Sequence, residues 1–287
     1  MEKVTKIIEL RHKVGLWRAQ GLSIAFVPTM GNLHAGHIKL VTEAKKKADK
    51  VIVSLFINPS QFGAGEDFEG YPRTEQADQE KLEQASANLL FAPTVMEIYP
   101  NKAEATTVSV GELATLHCGA HRPGHFDGVS TVVSKLFNIV QPDIALFGAK
   151  DFQQLAVIRK MIQDLNIPVT IFSVATERES DGLAMSSRNS YLTEQQRAIA
   201  PELYQSLCRA KDLVKQGQLN FHTIEKAQKN QLQESGFQVD YFSICKASDL
   251  RAATKNDNDL VILVAARLGK PRLIDNICFS KKSQLIS

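Results

Sequence analysis

The chain has little net charge, few cysteines and no long apolar run, and each shortage removes a class of protein. Its 34 Lys and Arg stand against 31 Asp and Glu over 287 residues, a net charge of +3, too small and too dispersed for a nucleic-acid surface. The cluster Lys45-Lys46-Lys47 reads as the solvated end of a helix, where the backbone dipole favours cations. Cys118, Cys208, Cys245 and Cys278 lie far apart and form no paired motif, which argues against a disulfide framework or a structural zinc site. They read as free thiols in a reducing compartment. The longest apolar stretches, such as Leu260 to Ala266, are too short to cross a bilayer. Met1 to Lys6 lacks the apolar core of a signal segment, so a cytoplasmic protein is expected. No internal repeat or low-complexity segment is present, and 44% apolar with 23% charged residues is ordinary for a globular chain.

What is present is alternation. Strand-like runs at Leu22–Val27, Val51–Ile57, Asn88–Phe91, Asp143–Phe147 and Val169–Val174 alternate with helical patterns at about 4–20, 36–48, 75–87, 128–140 and 151–164. The clearest helix places Val129, Val132, Val133, Leu136, Phe137 and Val140 on one stripe, which suits packing against a sheet. The order predicts an α/β fold, a Rossmann-like doubly wound parallel sheet, whose ligands bind beyond the carboxyl ends of the strands. After Asp181 the pattern changes to helices at about 194–216 and 221–235, then strands near 238–245, 260–267 and 272–279. We therefore expect a Rossmann-like domain over residues 1–176 and a smaller α+β domain over 177–287.

The most informative run is Pro28-Thr29-Met30-Gly31-Asn32-Leu33-His34-Ala35-Gly36-His37, placed where a strand gives way to a helix. The first turn of a helix has N–H groups without intrahelical partners and carries partial positive charge, so it attracts phosphate. Gly36 admits a phosphate close to the backbone. His34 and His37, three apart, point to one side if both lie in that turn, and imidazole can donate to phosphoryl oxygen or carry a proton near neutral pH. Read alone, the run leaves two further possibilities open: a surface or capping histidine, and a zinc-binding pair. Zinc is the weaker, because the metalloprotease helix spaces its histidines by four around a Glu.

A second run, Asp181-Gly182-Leu183-Ala184-Met185-Ser186-Ser187-Arg188-Asn189, sets two hydroxyls beside a guanidinium, whose planar fork of donors matches phosphate. Alone, it would read as an exposed loop with a helix cap.

These two runs, together with Gly124-His125-Phe126-Asp127-Gly128-Val129 through Gly148-Ala149-Lys150-Asp151-Phe152-Gln153-Gln154-Leu155, resemble the pantothenate synthetase (pantoate–β-alanine ligase) family. The resemblance runs from about Phe26 to Leu192 and takes in Phe56 to Phe62, Tyr71-Pro72-Arg73-Thr74 and Thr176 to Tyr191. It implies a nucleotidyl transferase related to class I aminoacyl-tRNA synthetases. Such an enzyme condenses pantoate with β-alanine using ATP and Mg2+, through a pantoyl adenylate, and releases AMP and diphosphate. A homodimer is implied, with small-molecule substrates and no nucleic-acid or membrane partner.

By motif position the resemblance implies that ATP is bound by Met30, Gly31, Asn32, Leu33, His34, Ala35, Gly36 and His37, by Gly148, Ala149, Lys150 and Asp151, and by Glu177, Met185, Ser186, Ser187 and Arg188. His37 is the expected proton donor, with His34 and Lys150 as its catalytic companions on the phosphates. Gln61 and Gln154 are the pantoate positions, Gln61 serving β-alanine as well; Asn58 and His125 are lesser candidates, each equally able to satisfy loop backbone. Pro28 and Val133 are candidates for apolar wall. Residues 177–287 are expected to close over the nucleotide. The chain departs from the commoner family pattern at Ala149, where a glutamate is usual, and at Asp127, where an arginine is frequent. The nearest alternative is a nucleotidylyltransferase that adenylylates a phosphorylated cofactor precursor; a non-catalytic nucleotide-binding module finds little support, because the chemically useful positions remain occupied.

Overall fold

The computed structural model describes residues 1–63, 65–101 and 104–281. Its strands are β1 (Glu2–Val4), β2 (Ile24–Thr29), β3 (Lys50–Leu55), β4 (Leu89–Phe91), β5 (Ile144–Gly148), β6 (Thr170–Val174), β7 (Gln238–Lys246), β8 (Asp259–Arg267) and β9 (Arg272–Ser280). The α-helices are α1 (Ile7–Ala19), α2 (Ala35–Lys45), α3 (Glu75–Gln84), α4 (Val95–Ile98), α5 (Cys118–His121), α6 (His125–Val140), α7 (Phe152–Asp164), α8 (Glu194–Ile199), α9 (Glu202–Lys215) and α10 (Phe221–Glu234). Contacts divide the chain into two units. The first comprises Met1–Thr115, Arg122–Ala149 and Gln154–Ala175; the second takes in Leu116–His121, Lys150–Gln153 and the chain from Thr176 onward.

In the first unit, six parallel strands lie in the order β1-β4-β3-β2-β5-β6. The chain walks outward from β2 through β3 to β4, then returns to the other side of β2 with β5 and β6. The switch point of this doubly wound sheet therefore lies beside β2, where such folds hold ligands. Side chains alternate across β2 as strand geometry requires. Ala25 and Val27 pack in one buried layer with Leu40, Val41 and Ala44 of α2, while Phe26 meets Phe137 of α6 edge-on at 6.4 Å.

The second unit is an antiparallel sheet in the order β7-β8-β9. Leu260, Ile262, Val264 and Ala266 of central β8 share a core with Leu203, Leu207, Ala210 and Val214 of α9 and with Ile224 and Leu232 of α10. That alternation buries one face of β8 against an amphipathic helical layer.

Two local expectations need correction. The single helix expected over 194–216 is two, α8 and α9, separated at Ala200-Pro201; proline lacks the N–H that would continue the ladder and clashes with the preceding turn. The helix expected from residue 4 begins at Ile7, because Glu2–Val4 instead pairs with β4 as an edge strand.

Candidate active site

Strand β2 ends at the switch point, and the chain turns through Gly31 (φ 88°) and Asn32 (φ 50°) before α2 begins. The left-handed backbone at Gly31 suits a residue without a Cβ. His34 is the N-cap of α2, with extended φ −122° and ψ 177°, and its Nδ1 accepts from the Gly36 N–H at 3.1 Å. His37 sits at the third helical position, and its Nδ1 accepts from the His34 N–H at 3.3 Å. Two imidazoles thus perform the reciprocal capping usually done by a hydroxyl and a carboxylate. His34 is one step earlier than a first-turn position, yet the two rings still lie together, with centroids 4.1 Å apart and planes at 43°.

Capping has a chemical consequence. With Nδ1 of each ring engaged as an acceptor, the neutral imidazole carries its proton on Nε2. Each histidine therefore has an Nε2–H donor, and α2 adds its own N-terminal field to the same spot.

The pantoate candidate Gln61 closes a 3-10 turn, Pro59–Gln61, and is buried. Its Nε2 lies 2.7 Å from the Met30 sulfur, which brings it to the histidine-bearing turn. Asn58 caps the 3-10 turn by accepting from the Ser60 N–H at 3.2 Å, and its amide donates to the Gly128 carbonyl at 3.0 Å. A Cβ on Gly128 would fall 2.1 Å from the Ser60 carbonyl oxygen, so α6 can approach the turn only through glycine. His125 Nδ1 lies 2.7 Å from the Gln61 carbonyl and its Nε2 lies 2.9 Å from Arg122 Nη1. A guanidinium can only donate, so His125 holds its proton on Nδ1 and bridges Arg122 to the Gln61 backbone. Of the two roles open to Asn58 and His125, the structure displays support of loop backbone.

Arg122 also pairs with Glu66 at 2.6 Å. Burial pushes the Glu66 carboxyl up, but the hydrogen bond and charge of Arg122 prevail and hold it below its ordinary value. Arg73 of the Tyr-Pro-Arg-Thr run donates to the Glu69 and Tyr71 carbonyls at 3.1 and 3.4 Å, so it folds its own loop. Beside the turn lies a cavity of about 280 Å³, lined in part by Met30, Gly31, Phe56, Phe68 and Thr74.

The remaining nucleotide candidates belong to other segments. Gly148 ends β5 opposite Val174, and the Ala149 N–H donates to the Val174 carbonyl at 2.8 Å. Ala149 thus extends the β5–β6 pairing by one backbone bond. In the second unit, the Lys150 carbonyl accepts from the Asn276 amide at 2.8 Å. The Met185 N–H donates to the Glu177 carbonyl at 2.9 Å and the Glu179 N–H to the Leu183 carbonyl at 2.8 Å, folding 177–185 into a tight hairpin turned at Gly182 (φ 94°). Ser186 caps the 3-10 turn Ser187–Tyr191 by accepting from the Arg188 N–H at 3.2 Å. Met185, Ser186, Ser187 and Arg188 are half-buried. Gln154, the other pantoate candidate, is half-buried on α7, whereas its neighbour Gln153 is buried and bonds Cys118 N and the Leu116 carbonyl.

Sequence reasoning missed the residues behind these segments. Asp78 and Lys81 of α3 bond the backbone of the histidine turn, and Asp275 and Asn276 of β9 hold Arg178 and Lys150. The only signal available for Asp78 was an acid near a helix start, a commonplace feature. Among the described residues, no group of three or more His, Cys, Asp or Glu side chains is placed to hold a metal ion.

A doubly wound parallel sheet with a histidine-capped helix start at its switch point is a Rossmann-like architecture suited to holding the phosphates of a nucleotide. Comparison with known proteins makes the class particular. The family model for pantoate-beta-alanine ligase matches residues 2–278. Pantothenate synthetase of Pseudomonas fluorescens (strain Pf0-1) is 56% identical over 278 residues, covering 96% of this chain and 97% of the relative. A crystal structure of pantothenate synthetase from Thermus thermophilus superposes with a TM-score of 0.89 at 43% identity, covering 96% of this chain and 99% of the other. Pantoate-beta-alanine ligase from Francisella tularensis, complexed with beta-gamma ATP and beta-alanine, gives a TM-score of 0.81 at 33% identity over 99% of this chain and 98% of the other. The chain belongs to the pantoate-beta-alanine ligase family.

Proposed function

We propose that this protein is an ATP-dependent ligase that joins pantoate to β-alanine through a pantoyl-adenylate intermediate. The observation that carries the reading is the paired histidine cap at the switch point, with an Nε2–H donor on each ring, in a chain of this family.

A carboxylate must first become an electrophile, because an amine does not displace oxide from it. In the first step a pantoate carboxylate oxygen attacks the α-phosphorus of ATP and the bond to diphosphate breaks. In the second, the β-alanine amine attacks the acyl carbon, loses a proton, and AMP departs with that pantoate oxygen. Catalysis rests mainly on alignment and on donors aimed at phosphoryl oxygens.

His34 and His37 are read as those donors, His37 supplying a proton to the leaving diphosphate. Met30 to His37 cradles the nucleotide with the N-terminus of α2. Gly148, Ala149, Lys150, Asp151, Glu177, Met185, Ser186, Ser187 and Arg188 complete the ATP contacts, Lys150 and Arg188 as cations on the phosphates. Gln61 and Gln154 hold pantoate, whose hydroxyls and carboxylate an amide can both accept from and donate to, and Gln61 also meets β-alanine. Mg2+ enters with the triphosphate, whose oxygens suit a hard cation that keeps much of its water. Closure of residues 177–287 over the nucleotide, assembly as a homodimer and a cytoplasmic location rest on the family resemblance.

The test is an assay for AMP with ATP, pantoate and β-alanine, omitting each in turn. AMP release that requires all three is the expected result. A stable adenylylated product formed with a phosphorylated acceptor would support the nucleotidylyltransferase alternative.

A further inference from the structure

We propose that Asp78 is the positioning residue of the nucleotide turn, acting through the backbone of Asn32 and Leu33. The inference rests on the reading of Met30–His37 as an ATP site.

Asp78 is only 1% exposed, and a buried carboxylate persists only where donors compensate its lost hydration. Here the donors come from the turn. Its Oδ2 accepts from the Asn32 N–H and its Oδ1 from the Leu33 N–H, both at 2.7 Å, and the Thr74 hydroxyl donates to Oδ2 at 3.0 Å. Charge-assisted bonds of this length are the stronger kind. Asn32 has the left-handed φ of 50°, which its neighbours must maintain. A Cβ on Gly31 would lie 3.2 Å from Asp78 Oδ2, so the carboxylate also packs close against the turn.

Lys81, one helical turn along α3, donates to the Leu33 carbonyl at 2.7 Å. The two side chains share one face of α3. Between them they fix both the N–H and the C=O of Leu33, the residue immediately before the His34 cap. The place where α2 starts, and with it the direction of both imidazoles, is set from α3. Positioning of this kind matters because a displacement near 1 Å can cost about 100-fold in rate.

Asp78→Asn keeps the shape but offers one carbonyl oxygen to two N–H groups and turns an NH2 toward the other. The measurements are steady-state KM for ATP and pantoate, the single-turnover rate of diphosphate release, ATP affinity by calorimetry, and thermal melting. We expect weaker ATP binding and slower diphosphate release, by roughly 10–100-fold, with a smaller rise in the pantoate KM, because Gln61 meets the turn only at Met30 while its amide oxygen accepts from Asn58, itself anchored to the Gly128 carbonyl. Unchanged kinetics would overturn the proposal. So would a loss of kcat with both KM values and ATP affinity intact, the mark of a smaller folded fraction. If Asp78→Asn does not fold, Lys81→Met decides: selective loss of ATP affinity supports the clamp, and none overturns it. A wild-type protein that binds ATP yet makes no AMP would sink the ligase reading alone, and the clamp is then judged on the variants' ATP affinity.

Discussion

Asp275 and Arg178 form a two-pronged ion pair, with Nη1 to Oδ2 at 2.7 Å and Nη2 to Oδ1 at 3.0 Å. Burial pushes the Asp275 carboxyl upward against the pull of Arg178, and the guanidinium also lies over the Tyr204 ring at 3.6 Å. The next residue, Asn276, holds the Lys150 carbonyl. One stretch of β9 therefore anchors both the Glu177 hairpin and the Lys150 segment. Asp275→Ala should lower stability by about 3–5 kcal/mol, because the guanidinium loses its buried counter-charge, and urea unfolding would measure it. Asn276→Ala should fold and raise the KM for ATP while leaving that for pantoate unchanged; equal changes in both would contradict the assignment of Lys150 to the nucleotide.

The histidine pair separates capping from chemistry. His34→Asn can still cap α2, so melting should stay near wild type while adenylate formation slows. His37→Ala should slow adenylate formation by roughly 10²–10⁴-fold if it gives a proton to diphosphate. Single-turnover diphosphate release is the readout, and an unchanged rate would remove His37 from that role.

Gly128 offers a steric test of the pantoate role proposed for Gln61. Its missing Cβ would sit 2.1 Å from the Ser60 carbonyl oxygen, so Gly128→Ala must push the 3-10 turn and Gln61 away from α6. Overpacking of this kind costs about 1–3 kcal/mol. The KM for pantoate should rise more than that for ATP, and denaturation should report the lost stability.

His117 sets an acid limit on the second unit. Burial is the largest influence and holds it below its ordinary 6.5, opposed by its bond to the Leu250 carbonyl. A base whose folded pKa is depressed binds fewer protons in the folded than in the unfolded state. Its stability contribution is therefore intact above the ordinary value and lost as pH falls below about 6.5. Melting temperatures at pH 7.5 and 5 should diverge more for the wild type than for His117→Gln; equal slopes would contradict this.

Much of this architecture was legible in the sequence because it is periodic. The stripe of α6 and the apolar runs of β2, β3 and β8 each report their own burial, and Pro28 to His37 marks a strand-to-helix passage by its glycines and histidines. The supporting groups were not legible. Asp78 lies 46 residues from Asn32 and Asn276 lies 126 from Lys150, and neither leaves a local pattern. In sequence, Asp78 resembles any acid in the first turns of a helix. β1 is three residues long, too short for alternation to show, and only its pairing with β4 makes it a strand.

In the proposed reaction a pantoate oxygen passes to AMP. Pantoate carrying a heavy-oxygen label in its carboxylate, turned over with ATP and β-alanine, tests this directly by mass spectrometry of the nucleotide product. One labelled oxygen in AMP, with unlabelled diphosphate, is the predicted result. Label that appears in phosphate or diphosphate, or AMP that carries none, would contradict the adenylate route.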